Sequence, residues 1–470
     1  FSLSRSTTMS TTALPASATS SVSTPPPLWK AYVSILVPML LTNILQGLAG
    51  TLDGIYLGQM IGVDALAAVS AFFPLFFLFF AIALGLSSGA TVLAGQAFGA
   101  GDLPAVRAVA GTALALLLCL GAAVSVLGGV FAPEWMRGLG TPPNVLAEAS
   151  AYARLMLAGM PLFFVLWLVT SLSRSVGDAV SPLWTLSLVT AIAMACTPAF
   201  IRGWFGLPQL GVRSAAVSTL LGFAIALVWT LWHWWRRGHP LAPTAALRSA
   251  VRLDPVILRK LVAIGLPTGV QMLTIACAEL VLLGLVNRHG SHATAAYGAV
   301  TQLMNWLQFP AMSLGIAATI LASHAIGAGR AHRLGAIART GLWMNLLFTG
   351  AFVAVAYAAS PTVLGWFLTD AAVIALALHL LRLVAWTMLL RGASMVLVGV
   401  MRASGTVWAP TGLGLAGILC IELPLAWWLD ARIGMAGIWW AYVATFIAML
   451  LLQTGFYRGV WRHRQVRRLI

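Results

Sequence analysis

The sequence predicts an all-α polytopic membrane protein with twelve transmembrane helices in two six-helix lobes. Three observations lead to this fold class. The chain is 60% hydrophobic and 8% charged over 470 residues, whereas a soluble domain carries about 25% charged residues. Apolar stretches recur along it, each with the roughly 20 residues that a helix needs to cross the hydrocarbon core of a bilayer. The second half of the chain also repeats the first.

The predicted helices follow one another with short polar breaks, six in each half of the chain. We place them near 31–57, 66–97, 105–131, 147–173, 181–202 and 211–235, and then near 260–286, 294–325, 334–358, 372–400, 408–429 and 435–458. Each half therefore crosses the membrane six times.

The polar stretches outside these spans divide the chain. Residues 1–27 are Ser, Thr, Ala and Pro with almost nothing to bury, and they predict a disordered tail. An N-terminal six-helix lobe then covers 28–235, and a C-terminal six-helix lobe covers 260–458. Residues 236–259, the longest internal polar stretch, predict a cytoplasmic linker between the lobes, and 459–470 form a basic cytoplasmic tail.

Positive charge is distributed unequally between the two sets of loops. With the N-terminus inside, the tails and even-numbered loops hold 19 of the 27 Lys and Arg residues, the opposite loops hold five, and three lie in spans. Because positive residues resist translocation, we expect both termini to be cytoplasmic in a bacterial inner membrane. An anionic lipid surface accounts for the net charge of +16, so no nucleic-acid partner is needed.

The repeat keeps one constant offset along the chain. At that offset Gly62 matches Gly290, Gly99 matches Gly327, and Gly177 matches Gly405. A register held over so long a stretch indicates duplication. Because both units have six spans and start on the same side, we expect a parallel pseudo-two-fold relation between the lobes, as in some transporters. We interpret the Gly-Ala-Gly sequences at 99–101 and 327–329 as tight turns that end the second and eighth helices.

Four segments, in a fixed order, carry a family resemblance. They are GTLDGIYLGQMIGVDALAAVSAFFPL after the first helix, GQAFGAGD closing the second, RSVGDAVSP between the fourth and fifth, and GLPTGVQ opening the seventh. With them the chain resembles the multidrug and toxic compound extrusion (MATE) transporters over about 28–458. The resemblance implies export of small organic, often cationic, compounds in exchange for protons or sodium ions. We expect a monomer in the lipid bilayer, without a cofactor.

Three carboxylates lie well inside apolar spans, where an ionised group is costly unless it is paired or hydrated. They are Asp53, Glu279 and Glu422. Asp53 shares a helix face with Thr42 and Gln46, and the resemblance associates the seven-residue spacing from Gln46 to Asp53 with proton coupling. We predict ion coupling at Asp53 and Gln46. A helix cap or an interhelical hydrogen bond is the alternative role for Asp53.

The seventh helix carries a similar arrangement. Thr268 precedes Glu279 by eleven residues, as Thr42 precedes Asp53, and Gln271 lies near the same face. In many family members the acid of this helix stands one turn earlier, where this chain has an isoleucine. We predict an ion-coupling role for Glu279, with a helix–helix hydrogen bond as the alternative.

Two further charges enter the C-terminal spans. Glu422 is a candidate replacement for an acid that the fifth helix lacks, because Ala193 and Thr197 stand where the archaeal-type members carry Asn and Asp. Arg391, in the tenth helix, either neutralises Glu279 or Glu422 or offers a positive cavity to an anionic ligand. The second possibility leaves open a flippase of lipid-linked oligosaccharides from the same superfamily.

Other function classes find little support in the sequence. It shows no metal-ligand spacing, no Ser, Cys or Thr with an activating base at a motif spacing, and no nucleotide-binding Walker sequence. An intramembrane enzyme is the remote alternative. The sequence predicts a secondary active antiporter that exports organic, cationic and amphipathic compounds by alternating access, with protons or sodium as the coupling ion and no metal site.

Overall fold

The computed structural model describes residues 27–367 and 370–470, apart from the side chains at 53, 54, 63, 205, 366 and 367. Nearly all of the predicted tail at 1–27 lies outside these ranges. Within them, all regular structure is helical. This agrees with the predicted all-α class, because a chain segment inside lipid must satisfy its backbone hydrogen bonds internally.

The first half forms seven helices. They are α1 (Leu28–Met60), α2 (Val63–Gly99), α3 (Leu103–Gly138), α4 (Leu146–Ala158), α5 (Met160–Ser175), α6 (Val180–Arg202) and α7 (Arg213–Arg237). A short helix, α8 (Ala245–Ala250), lies in the linker and packs on α3. The linker itself is shorter than predicted, because α7 continues to Arg237 and the next helix begins at Pro255.

The second half forms eight helices and one π-helical segment. They are α9 (Pro255–Asn287), α10 (Ser291–Gly327), α11 (Leu334–Phe367), α12 (Ala371–Val384), α13 (Thr387–Ala403), α14 (Trp408–Ala416), the π segment (Gly417–Glu422), α15 (Leu423–Ile433) and α16 (Met435–Gly459). The basic tail that follows contains a single 3₁₀ turn at Trp461–His463.

The number of membrane crossings agrees with the sequence prediction of twelve. Eleven stretches of the described chain are long and apolar enough to cross a membrane, and α4 with α5, which meet at 50°, can form a twelfth. The bend lies at Gly159, just before Pro161, whose ring cannot donate a backbone hydrogen bond. The π segment similarly ends two residues before Pro424. Breaks within spans were not predicted.

The backbone confirms the duplication. Helix α10 begins and ends at the positions that the offset of the repeat assigns to it, since Val63 corresponds to Ser291 and Gly99 to Gly327. The turns that follow are also equivalent, with left-handed backbone at Gly101 (φ +74°) and at Gly329 (φ +70°). The predicted turn function of the Gly-Ala-Gly sequences therefore belongs to their last glycine.

Their first glycines have a different function, which is to let the two lobes approach. Gly99 and Gly327 are the last residues of α2 and α10, at the point where these two helices cross. A Cβ atom on Gly99 would lie 2.6 Å from the Cα of His324, and one on Gly327 would lie 3.0 Å from the Cα of Gln96. Gly99 and Gly327 are thus the last helical residues before the predicted turns, and they also form the close backbone contact between the lobes.

The cross-lobe hydrogen bonds of the described chain lie between the middle of the spans and the end where α2 and α10 finish. Buried Gln96 joins three segments there. Its Nε2 donates to the carbonyl of Ala403 (2.7 Å), and its Oε1 accepts from the backbone N–H of Leu469 (2.8 Å). The Lys260 Nζ donates to the carbonyl of Leu469 (2.6 Å). The basic tail is therefore docked between the lobes at this end.

Candidate functional site

The C-terminal lobe brings three of the predicted charged residues together. Glu279 projects from α9, Arg391 from α13, and Glu422 from the end of the π segment. These elements meet because α9 packs against the π segment and α15, while α13 packs against α16. Glu422 is buried, with 6% of its surface exposed, whereas Glu279 is accessible. We call these three residues the C-lobe charge cluster.

Electrostatics link the members of this cluster without a direct ion pair. Arg391 lies within electrostatic range of both Glu279 and Glu422. Among the residues that the structure describes, none of these side chains forms an ion pair within 4.0 Å, and the Arg391 guanidinium lies 5.5 Å from the centre of the Phe446 ring. With both acids ionised, the cluster carries one net negative charge. It can therefore accept a proton or a cation.

Two tyrosines adjoin the cluster, and the sequence did not indicate them. The hydroxyls of Tyr297 and Tyr442 are 3.2 Å apart, and both side chains lie in electrostatic range of Glu279 and Glu422. Tyr442 also stacks on Phe446, with ring centres 6.1 Å apart. The available signal was the pair of phenols in otherwise apolar spans, since a buried phenol needs a hydrogen-bond partner.

The other two predicted residues of α9 lie apart from this cluster. Thr268 is buried at the crossing of α9 and α2, where its hydroxyl accepts a long hydrogen bond from Ser88 (3.4 Å). The Gln271 side chain packs on α14, and its Nε2 would lie 2.6 Å from a Cβ placed on Gly414. Both residues therefore contribute to helix packing.

A cavity of about 170 Å³ lies in the N-terminal lobe between α1, α5, α6 and α7. Gln46 lines it, together with the hydroxyl-bearing Thr170, Thr190 and Thr219. Ala193 lines it as well, so the position at which related members carry Asn supplies only a methyl group here. The described lining is mainly apolar, and Gln46 provides its one side-chain amide.

The remaining predicted residues of α1 can be located only in part. Asp53 lies in α1, but its side chain is outside the described residues. The Thr42 hydroxyl is buried and donates to the carbonyl of Pro38 one turn earlier (2.7 Å). The sequence did not single out Asn43, whose Nδ2 donates to the Ser313 hydroxyl (3.0 Å) across the lobes. Its signal was an amide in the middle of an apolar span.

Among the described residues, no three His, Cys, Asp or Glu side chains converge as a metal-binding group would require. The C-lobe charge cluster supplies two carboxylates and a cation. Two carboxylates are fewer than the roughly four ligands of a structural metal site.

Comparison with known proteins identifies the family. The MatE family model matches residues 38–198 and 267–428, one stretch in each lobe and together more than half of the chain. The chain belongs to this family. The second stretch begins almost where the duplication places the repeat of the first. Members of the MatE family are multidrug efflux transporters that use ion gradients, so this protein is a transporter rather than an enzyme.

Individual relatives support the assignment to the MatE family. The probable multidrug resistance protein YoeA of Bacillus subtilis is 37% identical, over 95% of this chain and 96% of that protein. A FAD transporter of Shewanella oneidensis is 27% identical over 70% of this chain and 72% of its own length. These relatives do not favour the flippase alternative.

Solved structures show the same fold. The chain superimposes on an outward-facing multidrug resistance MATE family transporter with a TM-score of 0.84, covering 92% of this chain and 95% of that one at 22% identity. A MATE transporter crystallised in complex with MaL6 gives the same TM-score, with 92% and 96% coverage at 22% identity. The two-lobe, twelve-helix architecture is therefore that of the MATE fold.

Proposed function

We propose that the protein is a secondary antiporter that exports organic, cationic and amphipathic compounds in exchange for protons or sodium ions by alternating access. The C-lobe charge cluster is the observation that carries this proposal. Buried charges are expensive in a membrane and mark ion or substrate pathways. Two carboxylates that share one arginine can release a cation or a proton when a cationic substrate approaches.

Arg391 has a defined part in this exchange. Its guanidinium neutralises one of the two negative charges of Glu279 and Glu422, so the pair retains a single charge for a coupling ion. Without the arginine, the two carboxylates would repel each other, and holding both ionised would be costlier. Arg391 therefore sets the ion stoichiometry of the C-terminal lobe at one.

We propose a second coupling site in the N-terminal lobe, at Asp53 and Gln46. Supporting it, Gln46 lines the N-lobe cavity, and Asp53 follows it by two turns on the same helix. The cavity gives a coupled ion or a substrate group a place to enter beside α1. The two lobes would then each hold one acid-based site, as their duplication favours.

The cross-lobe contacts support a conformational assignment. They lie toward the end where α2 and α10 finish, which is cytoplasmic in the topology with both termini inside. In that topology the structure is closed to the cytoplasm. The excess of Lys and Arg in the inner loops supports this orientation and a bacterial inner membrane. We propose a monomer, because each chain contains both of the lobes between which an alternating-access pathway would run.

Transport in proteoliposomes tests the function. The rate of export of a cationic dye is measured under an imposed pH gradient alone and under an imposed sodium gradient alone. The unaltered protein is measured first, and the variants Glu279→Gln and Asp53→Asn follow. We expect one gradient to drive transport and each variant to lose most of that response. Glu148→Gln, an exposed acid in the first turn of α4, is the matched control and keeps it. Wild-type export by both coupling variants across a range of gradients would refute the proposal.

A substrate with an anionic group is the second candidate, favoured by Arg391 and by the FAD transporter among the relatives. In this case the guanidinium binds substrate instead of balancing acids. Arg391→Gln separates the two functions. It should abolish transport of a flavin nucleotide while sparing a cationic dye if Arg391 binds an anion. If Arg391 sets ion stoichiometry, transport of the cationic dye changes its dependence on the gradient instead.

A further inference from the structure

A second, larger cavity lies at the ends of α6 and α7, about 810 Å³ in volume. Its walls combine aromatic rings with polar groups, and we call it the α6–α7 pocket. It is lined by Trp184, Trp229, Trp234, Arg237, His239 and Asp178, among others. The proposed transport function does not use these residues. They belong to the end of the N-terminal lobe at which the lobes are joined.

Two buried polar atoms of this pocket have no hydrogen-bond partner. Trp234 is only 3% exposed, and its Nε1 donor is unpaired. His239 stacks on the Trp234 ring at 4.4 Å, and its Nε2 is also unpaired, since Asp178 Oδ2 lies 3.6 Å away. A buried donor without a partner costs about 1–3 kcal/mol. A ligand that supplied acceptors at both atoms would recover this cost.

The tautomer of His239 makes its Nε2 a donor, as the Nε1 of Trp234 always is. Its Nδ1 accepts a hydrogen bond from the backbone N–H of Leu241 (3.2 Å), so the proton of the neutral ring lies on Nε2. Burial lowers the pKa of His239, nearby His233 lowers it further, and Asp178 raises it in opposition. The neutral ring thus carries its N–H on Nε2, 3.6 Å from Asp178 Oδ2, and both His239 and Trp234 line the pocket.

The charges of the pocket also favour an acceptor ligand. Arg237 lies in the last turn of α7, and no carboxylate of the described chain is within 4.0 Å of it. The one acid, Asp178, is engaged in capping α6. Its Oδ1 accepts from the N–H groups of Val180 (3.1 Å) and Ser181 (3.0 Å), and its Oδ2 accepts from the Ser181 hydroxyl.

We propose that the α6–α7 pocket binds the phosphate head group of an anionic phospholipid. Two unpaired N–H donors and a free guanidinium match the acceptor-rich, negatively charged phosphodiester. The aromatic walls favour a lipid over a soluble phosphate. Trp184 is 59% exposed and Val180 is 51% exposed, so the pocket has an apolar rim at the ends of two membrane helices. Tryptophan is enriched at that depth, and basic pockets between membrane helices bind lipid head groups there.

Lipid-dependent thermal stability tests this proposal. The purified full-length chain in a neutral detergent is titrated with phosphatidylglycerol, with phosphatidylcholine, and with inorganic phosphate. We expect saturable stabilisation by phosphatidylglycerol at concentrations where the other two have little effect. An equal shift with inorganic phosphate would overturn the lipid assignment. An equal shift with phosphatidylcholine would overturn the role of charge.

Two variants and one matched control locate the effect. Trp234→Phe keeps one aromatic ring but removes the indole donor, and Arg237→Gln removes the charge. Each should weaken phosphatidylglycerol binding about tenfold, as loss of one hydrogen bond to a charged group implies. Arg236→Gln is the control, because Arg236 is adjacent in sequence but lies over the Trp232 ring at 4.1 Å. Equal weakening by Arg236→Gln would show a diffuse surface effect and refute the site.

Misfolding cannot explain the expected result for Trp234→Phe. Without lipid, this variant loses an unpartnered donor and also part of a buried ring system, so we expect a folded protein with a lower thermal midpoint from lost packing. A cooperative unfolding transition together with a lost phosphatidylglycerol response supports the site. A cooperative transition with an undiminished phosphatidylglycerol response would refute it.

Discussion

Gly99→Ala tests whether the crossing of α2 and α10 stabilises the conformation described here. The added Cβ would lie 2.6 Å from the Cα of His324, and closer still to its carbonyl oxygen. Real Cβ contacts are essentially never under 3.0 Å and seldom under 3.4 Å, so the two helices must separate by at least a few tenths of an ångström. The obstacle is backbone, which cannot turn aside as a flexible side chain does.

Overpacking of this kind costs about 1–3 kcal/mol. A conformation in which the lobes part at this end relieves the contact, so the penalty falls on the closed conformation only. A difference of about 1–3 kcal/mol shifts a two-state equilibrium about 5- to 150-fold toward the parted state. Gly327→Ala, at the equivalent position on α10, should act in the same direction.

Thiol labelling measures the shift. The assay uses a chain whose native cysteines are replaced by alanine and in which Ser323→Cys introduces one buried thiol beside the crossing, because Ser323 is fully buried against Gly95. The rate of maleimide labelling should rise with Gly99→Ala and with Gly327→Ala. Gly298→Ala, in α10 with no atom within 4 Å of its added Cβ, should leave the rate unchanged. Unchanged labelling in folded Gly99→Ala protein would refute the reasoning.

Two further predictions concern the same end of the molecule. Gln96→Leu leaves the Ala403 carbonyl and the Leu469 N–H unpaired, so the free energy of unfolding should fall by about 1–3 kcal/mol. Gln209→Leu, at an exposed glutamine, is the control and should change the free energy of unfolding little. Equal losses in the two variants would contradict the docking of the tail. Burial lowers the pKa of His239, so folding favours its neutral form. Its contribution to stability is present above about pH 6.5 and is lost as the pH falls toward the folded-state pKa. In a plot of thermal midpoint against pH, His239→Gln should flatten the curve below about pH 6.5. An unchanged curve would show that His239 does not titrate in this range.

Much of the fold could be predicted from residue type alone. The length of each apolar span and the short polar breaks determine twelve crossings, because lipid offers backbone groups no partners and an uninterrupted helix satisfies them locally. The duplicated glycines likewise predicted matching turns, and Gly101 and Gly329 form them. The bends inside spans could not be located as readily, because a proline can end, kink or merely begin a helix.

The candidate site was predictable only as a set of residues. A charge in an apolar span is costly, and this predicted functional roles for Glu279, Arg391 and Glu422. Their meeting was offered as one of two alternatives for Arg391, and nothing in the local pattern decided between them. Tyr442 was missed for a related reason, since an apolar helix with no polar face does not indicate which residues point inward.

The sequence by itself determined what depends on neighbouring residues along the chain: helical class, span lengths, the duplication and the positions of the buried charges. Only the tertiary structure decided which of these residues meet. It placed Gly99 against His324, Gln96 between Ala403 and the tail, and Asn43 against Ser313. The reason is physical, since helices in a membrane associate through close packing of small residues and scattered hydrogen bonds. Such contacts depend on helix rotation and tilt, which periodicity does not specify in spans that are apolar on every side.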